Sequence, residues 1–247
     1  MTPPNGNTRT HVGARHALIA PDGHVAGRVP GITGAAAVVL ISRAMGARFA
    51  QLLVTFDAGG RADLSSHSIE TAGYLVSGGA TVAIGRETCR LAAGGFFFLP
   101  AGRTGSVRAP VRGTQLALFQ KPFVPLESAP APKPRVGDAA RVKGTPFLGD
   151  PDARLKVLLP DDPACDMAMN IFTFKPGATL PFVETHIMEH GLLMLAGRGI
   201  YRLEDSWYSV SAGDAIWMGP YCPQWFAATG KAPASYLYYK DVNRAAL

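Results

Sequence analysis

Asn170-Ile-Phe-Thr-Phe-Lys-Pro-Gly177, Gly191-Leu-Leu-Met-Leu-Ala-Gly197 and Ala212-Gly-Asp-Ala-Ile-Trp-Met-Gly-Pro220 follow one another in the second half of the chain. The first half carries the same order: Gln51-Leu-Leu-Val-Thr-Phe-Asp-Ala-Gly-Gly60, Gly73-Tyr-Leu-Val-Ser-Gly-Gly79 and Gly94-Gly-Phe-Phe-Phe-Leu-Pro100. Each run is short, apolar, rich in β-branched and aromatic residues, and closed by Gly or Pro, which is the pattern of buried strands joined by tight turns. Aligning Gly73 with Gly191 also aligns Gly95 with Gly213. Such a duplication predicts an all-β chain of two small antiparallel barrels in tandem, of the jelly-roll type. The expected boundaries are an N-terminal arm over 1–45 docking on the barrels, a first barrel over 46–120, a connector over 121–145 and a second barrel over 146–247. The connector is placed by Lys121-Pro-Phe-Val-Pro-Leu-Glu-Ser-Ala-Pro-Ala-Pro-Lys-Pro-Arg135, whose five prolines in fifteen residues favour extended backbone.

The 247 residues are 47% hydrophobic, enough for two cores, and the 28 glycines and 20 prolines show no collagen-like period, so helix should be a minor component. The net charge is +6, yet Lys and Arg are scattered singly from Arg9 to Arg244, without the basic stripe that nucleic acid requires. Cys89, Cys165 and Cys222 are odd in number and widely spaced, which points to a reducing compartment rather than a disulfide framework. No segment reaches the roughly 20 apolar residues that cross a bilayer, and the start of the chain has no apolar leader core. A soluble, cytoplasmic homo-oligomer acting on a small molecule, without nucleic-acid or membrane partners, is expected.

The order of elements resembles the cupin superfamily, with its Gly followed by clustered His and Glu and its later Gly-x5-Pro strand bearing a last ligand. In Pro181-Phe-Val-Glu184-Thr-His186-Ile-Met-Glu-His190-Gly191, Glu184 and His186 would share one face of a strand, and His190 would return to it after a tight turn. Gln224 falls where the cupin pattern supplies its last ligand. The spacing His186-x3-His190 also suits one side of a helix, but the zincin pattern needs Glu directly after the first His, and Pro181, Thr185 and Gly191 oppose a helix. Glu189 is read as lying off the ligand face, behind the ligands or exposed. One carboxylate, two imidazoles and an amide oxygen form a harder set than zinc sites use and leave positions open in an octahedral ion, so Mn2+ is the expected cofactor. In the first half the facing positions are Ser66, Ser68, Ala72 and Thr104 or Gly105, and the first barrel should have no metal site. His67 and Glu70 have the wrong parity for ligands and read as a solvated or interface pair.

The match becomes specific in Leu180-Pro-Phe-Val-Glu-Thr-His-Ile-Met-Glu-His-Gly-Leu-Leu-Met-Leu195, Gly199-Ile-Tyr-Arg-Leu203, Trp217-Met-Gly-Pro-Tyr-Cys-Pro-Gln-Trp225 and Tyr236-Leu-Tyr-Tyr-Lys-Asp-Val-Asn-Arg244. With Arg15-His-Ala-Leu-Ile-Ala-Pro21, Met45-Gly-Ala-Arg-Phe49, Trp207-Tyr208 and Phe147-Leu-Gly-Asp-Pro-Asp152, these stretches resemble the (S)-ureidoglycine aminohydrolase family of bicupins; the likeness is weakest over 60–115 and the connector. The resemblance implies Mn2+-dependent release of ammonia from ureidoglycine to give ureidoglycolate. It also implies Glu184, His186, His190 and Gln224 as metal ligands, and Lys240, Tyr201 and Glu184 as catalytic. Glu184, Gln224, Tyr236 and Lys240 would touch the substrate. Read without the family, Lys240 is an ordinary solvated charge and Tyr201 a rim residue, while Trp207, Trp217 and Trp225 wall the barrel. The competing readings are another metal-dependent cupin enzyme, a dioxygenase or an isomerase, and a non-catalytic binding cupin.

Overall fold

The computed structural model describes residues 8–244, so residues 1–7 of the expected arm lie outside the described residues. Within them the chain is strand and turn, with three single-turn 3-10 segments as its only helical elements. Each half closes into a barrel. The first is built on a ten-stranded sheet running Arg135–Asp138, Gly95–Leu99, Ile69–Ser77, Thr114–Pro122, Ala50–Asp63, Gly105–Arg108, Gly79–Ile84 and Glu87–Ala92, with Ala26–Gly27 and Ile32–Ile41 added on the outside of Ala50–Asp63. The second has an eight-stranded sheet, whose central members are Ala215–Met218, His190–Ala196, Ala234–Asp241, Met167–Phe174 and Asp150–Leu159. A three-stranded sheet of Ser206–Ser211, Arg198–Leu203 and Gln224–Thr229 completes it.

The segment before residue 46 belongs to both barrels. His16–Ile19 pairs with Ala215–Met218 of the second, and Ile32–Ile41 pairs with Ala50–Asp63 of the first. Arg9 anchors the first part, donating from Nη1 and Nη2 to the buried carboxylate of Asp214 at 2.9 and 2.7 Å. At the other junction, Arg135–Asp138 of the Pro-rich stretch pairs with Gly95–Leu99.

Strand alternation sorts the side chains into three cores. Leu52, Val54, Phe56, Leu75, Val82, Phe97, Leu116 and Leu118 fill the first barrel. Phe172, Phe174, Leu192, Met194, Ile216, Met218 and Tyr236 line the second. The opposite faces of the same strands, with Tyr74, Phe96, Phe98, Phe119, Met169, Ile171, Trp217 and Tyr239, press together between the barrels. Each fully buried side chain of this size contributes roughly 1.5–3 kcal/mol, so the seam is a core in its own right. Trp217, expected in a barrel wall, belongs to this seam.

The internal repeat is real, but its register differs by one residue from the glycine alignment. Gly94 N–H donates to the Leu75 carbonyl at 2.8 Å, and Gly213 N–H makes the matching bond to Met194 at 2.9 Å. Hence Gly94, not Gly95, corresponds to Gly213, and Leu75 to Met194. A Cβ on Gly73 would strike the Phe97 ring inside the first barrel, whereas one on Gly191 would strike Phe49 and Gln51 at the seam, so the two glycines face opposite ways. The N–H of Leu64 bonds to the Gly105 carbonyl as that of Glu184 bonds to Gln224, and Gly102 bonds to Ser66 as Tyr221 bonds to His186. With Thr71 paired to Leu99 as His190 is to Met218, the counterparts of Glu184, His186, His190 and Gln224 are Leu64, Ser66, Thr71 and Gly105. The expected matches of Ser66 to Glu184, Ser68 to His186 and Ala72 to His190 are thereby corrected, while Gly105 holds its place opposite Gln224: one extra residue between Ser66 and Thr71 shifts the phase, and composition alone does not reveal it.

Candidate active site

The second barrel encloses a cavity of about 260 Å3, lined by all seven expected site residues: Glu184, His186, His190, Tyr201, Gln224, Tyr236 and Lys240. Residues 181–189 do not form the expected strand. Pro181 opens an irregular stretch, and it is laced to its neighbours instead. Glu184 and Gln224 exchange backbone bonds at 2.8 and 2.9 Å, the His186 carbonyl accepts from Tyr221 N–H at 2.8 Å, and Trp225 Nε1–H donates to the Leu180 carbonyl at 2.7 Å. His190 is the first residue of its strand.

His186 Nδ1 lies 3.1 Å from the Met188 carbonyl, which can only accept, so this nitrogen carries the proton and Nε2 presents its lone pair to the cavity. That lone pair faces His190 Nε2 at 3.2 Å and the side-chain amide of Gln224 at 3.2 Å. Burial lowers the pKa of both imidazoles, His190 well below the ordinary value; the charges of His186 and Lys240 add to the effect at His190, while at His186 the Met188 carbonyl opposes it and Lys240 adds to it. Burial raises the Glu184 carboxyl, and Lys240 partly opposes it. Among the described residues no three His, Cys, Asp or Glu side chains are grouped closely enough to hold a metal ion by themselves. Glu184 therefore stands apart from the His pair, although it lines the same cavity. The donor chemistry nevertheless fits a divalent cation: two neutral imidazoles with adjacent ring nitrogens, an amide that half a turn presents as an oxygen donor, and a carboxylate in one enclosure.

Tyr201 is fully buried rather than at the rim, and its hydroxyl donates to Gln224 Oε1 at 3.3 Å. Burial raises both Tyr201 and Tyr236 above the usual phenol range, so both keep their protons. Lys240 is neither solvated nor buried: its side chain is 22% exposed, its Nζ is 3.9 Å from the rim residue Asp161, and its strand position pairs with His190 and Ala168. Glu189 is buried, which excludes the exposed one of its two readings and leaves the place behind the His186–His190 segment. It accepts from Arg48 N–H at 2.7 Å while its own N–H donates to Asp241 at 2.5 Å, tying the residue before His190 to the one after Lys240. His67 is exposed, but Glu70 is fully buried, so they are no pair. Trp207 is exposed and packs edge-on against the half-buried Trp225. The cysteines are free. Asn170, Asp161 and Tyr238 were missed as lining residues; a lone polar residue at interior parity in Met167–Phe174 was the available signal for Asn170.

Two barrels of one topology, the first filled by its own side chains and the second holding polar groups in a cavity, define a bicupin, and a family model for the cupin domain matches residues 170–239. (S)-ureidoglycine aminohydrolase of Escherichia coli (strain K12) is 36% identical over 232 residues, which cover 92% of this chain and 88% of that protein. The enzyme of the same name from Arabidopsis thaliana is 36% identical over 242 residues, 97% of this chain and 80% of its own length. The chain belongs to the (S)-ureidoglycine aminohydrolase family. Among solved structures, protein Ylba from E. coli superposes with a TM-score of 0.88 at 32% identity, over 98% of this chain and 97% of that one. Bacillus subtilis oxalate decarboxylase, at 13% identity and TM-score 0.72 over 93% of this chain and 78% of that one, shares the fold alone.

Proposed function

We propose that the chain hydrolyses (S)-ureidoglycine to (S)-ureidoglycolate with release of ammonia, a step of purine breakdown, using Mn2+ held by Glu184, His186, His190 and Gln224. The observation that carries this reading is the meeting of His186, His190 and Gln224 side chains at 3.2 Å inside the cavity that Lys240 borders. Ureidoglycine carries a carboxylate, an amino-bearing carbon and a ureido group. A divalent cation supplies a Lewis acid beside the reacting carbon and a template for orienting the substrate.

The chain's own groups do the rest. Lys240 binds the substrate carboxylate, which displaces its weak contact with Asp161. Glu184, made more basic by burial, takes a proton at its carboxylate from the hydrolytic water and returns one to the departing amine. The carbon–nitrogen bond to the amino group breaks as the new carbon–oxygen bond forms, and ammonia leaves. Tyr201 and Tyr236, protonated throughout, act as hydrogen-bond donors inside the cavity. The apolar walls, Phe172, Leu192 and Met218 among them, keep bulk water from the charged groups. The same reading takes the chain as a cytoplasmic homo-oligomer that engages neither nucleic acid nor membrane. Among the described residues no helix is long and apolar enough to cross a bilayer. Ammonia release from freshly generated ureidoglycine, with and without added Mn2+, tests the activity, and no release under either condition refutes it.

A further inference from the structure

The cavity has a polar layer that the reaction above does not use. On Met167–Phe174, Ala168, Asn170 and Phe172 face the cavity while Met169 and Ile171 face the seam. Asn170 is 4% exposed, and its Oδ1 has no hydrogen-bond partner. Its cross-strand neighbour is Tyr238, which also lines the cavity and is buried. The corresponding pair in the first barrel is Leu52 opposite Leu118. A buried amide with an unmet acceptor destabilises the fold relative to leucine, so its place in an aromatic wall calls for a ligand that meets it.

Depth gives the ligand group. Lys240 pairs with Ala168, and two residues further along the same strands Tyr238 pairs with Asn170, a step of about 7 Å toward the barrel interior. In an α-ureido acid the carboxyl carbon and the terminal ureido nitrogen lie about 5 Å apart by bond lengths. A carboxylate on Lys240 at the rim therefore leaves the ureido end at the Asn170 layer. We propose that Asn170 is the specificity-determining residue that receives the ureido group, its Oδ1 accepting from the terminal NH2, with the Tyr238 hydroxyl beside it. The inference rests on the function proposed above and adds to it the group that distinguishes this substrate from other small amino acids. An analogue without the terminal N–H leaves the Asn170 acceptor buried and unmatched, which is how polar sites reject near-isosteres.

The test uses two stable ligands, N-carbamoylglycine and N-acetylglycine, which differ by NH2 against CH3. Inhibition constants are measured on the Mn2+-reconstituted protein and on Asn170→Leu. The parent should bind the carbamoyl ligand at least about tenfold more tightly. Asn170→Leu should bring the two within about twofold, raise KM for ureidoglycine more than it lowers kcat, and leave manganese content unchanged. Leucine occupies the matching position of the first barrel, so the variant should fold and melt no lower than the parent; if it does not fold, the parent's ratio decides alone. Ammonia release with no preference between the ligands in the parent, or a preference that survives in Asn170→Leu, overturns the role of Asn170 and leaves the activity standing. No ammonia release and no binding of either ligand overturns both.

Discussion

The two barrels share strand order and even the bonds that close their Gly turns, yet apolar side chains fill the interior of one, leaving an open recess at its mouth, while the other holds a cavity that reaches inward among polar groups. Position by position, Leu64 stands for Glu184, Thr71 for His190, Val82 for Tyr201, Gly105 for Gln224, Leu116 for Tyr236 and Leu118 for Tyr238. Interior parity is the same in both; only the side chains differ. Apolar residues at these places interdigitate and contribute stability, whereas polar ones cannot pack without partners and leave room for a ligand that supplies them. A duplicated fold thus divides its labour, with the first barrel stabilising the seam against which the second holds its site.

Breaking the hollow barrel should have the largest effect. His190→Ala removes one of two adjacent imidazoles, and metal content should fall to well under one per chain, with activity down by about a thousandfold or more while circular dichroism stays that of the parent. Thr71→Ala, at the matching position, should change neither; full metal occupancy in His190→Ala would refute the ligand set. Lys240→Met keeps the stem and deletes the charge, and should cost on the order of 2–4 kcal/mol in kcat/KM, roughly 30- to 1000-fold, with manganese unchanged. Gln120, on the matching strand of the first barrel, should tolerate the same change. Parental kcat/KM in Lys240→Met would return that lysine to the solvated surface.

The seam offers a smaller effect of different kind. Burial, then the neighbouring Asp166, pushes the Glu70 carboxyl up to about 10, with Lys121 and Arg244 opposing. Both Glu70 oxygens lack partners among the described residues, while Lys121 donates to Asp166 at 2.9 Å. Because the folded-state pKa lies above the ordinary value of 4.5, the contribution to stability is fully present below about pH 4.5 and is lost as pH rises toward 10. Glu70→Gln should flatten the decline in melting temperature between about pH 5 and 9, a gain on the order of 1 kcal/mol at the alkaline end. An unchanged slope would mean that the carboxyl is ionised in the seam. Smallest of all, His67→Ala should leave activity at the parent level and stability within about 0.5 kcal/mol, since the side chain is exposed.

Much of this was legible in the sequence. Alternating apolar runs between Gly and Pro turns, twice over, specify two barrels because period-two burial and tight turns are local properties. The residue types of Glu184, His186, His190, Gln224 and Lys240 announce their chemistry wherever they fall. Tertiary structure alone decided the alignment of the repeat, because one extra residue between Ser66 and Thr71 is absorbed in the irregular stretch 64–68 and leaves the burial pattern of the later strands unchanged. It alone placed Glu70, Glu189 and Trp217 in buried networks, since burial of a strand's outer face depends on what packs against it. And it alone showed that backbone bonds to Gln224 and Tyr221, rather than strand alternation, bring Glu184 and His186 to the cavity that His190 lines, because partners some 40 residues distant fix an irregular segment that local propensity leaves undetermined.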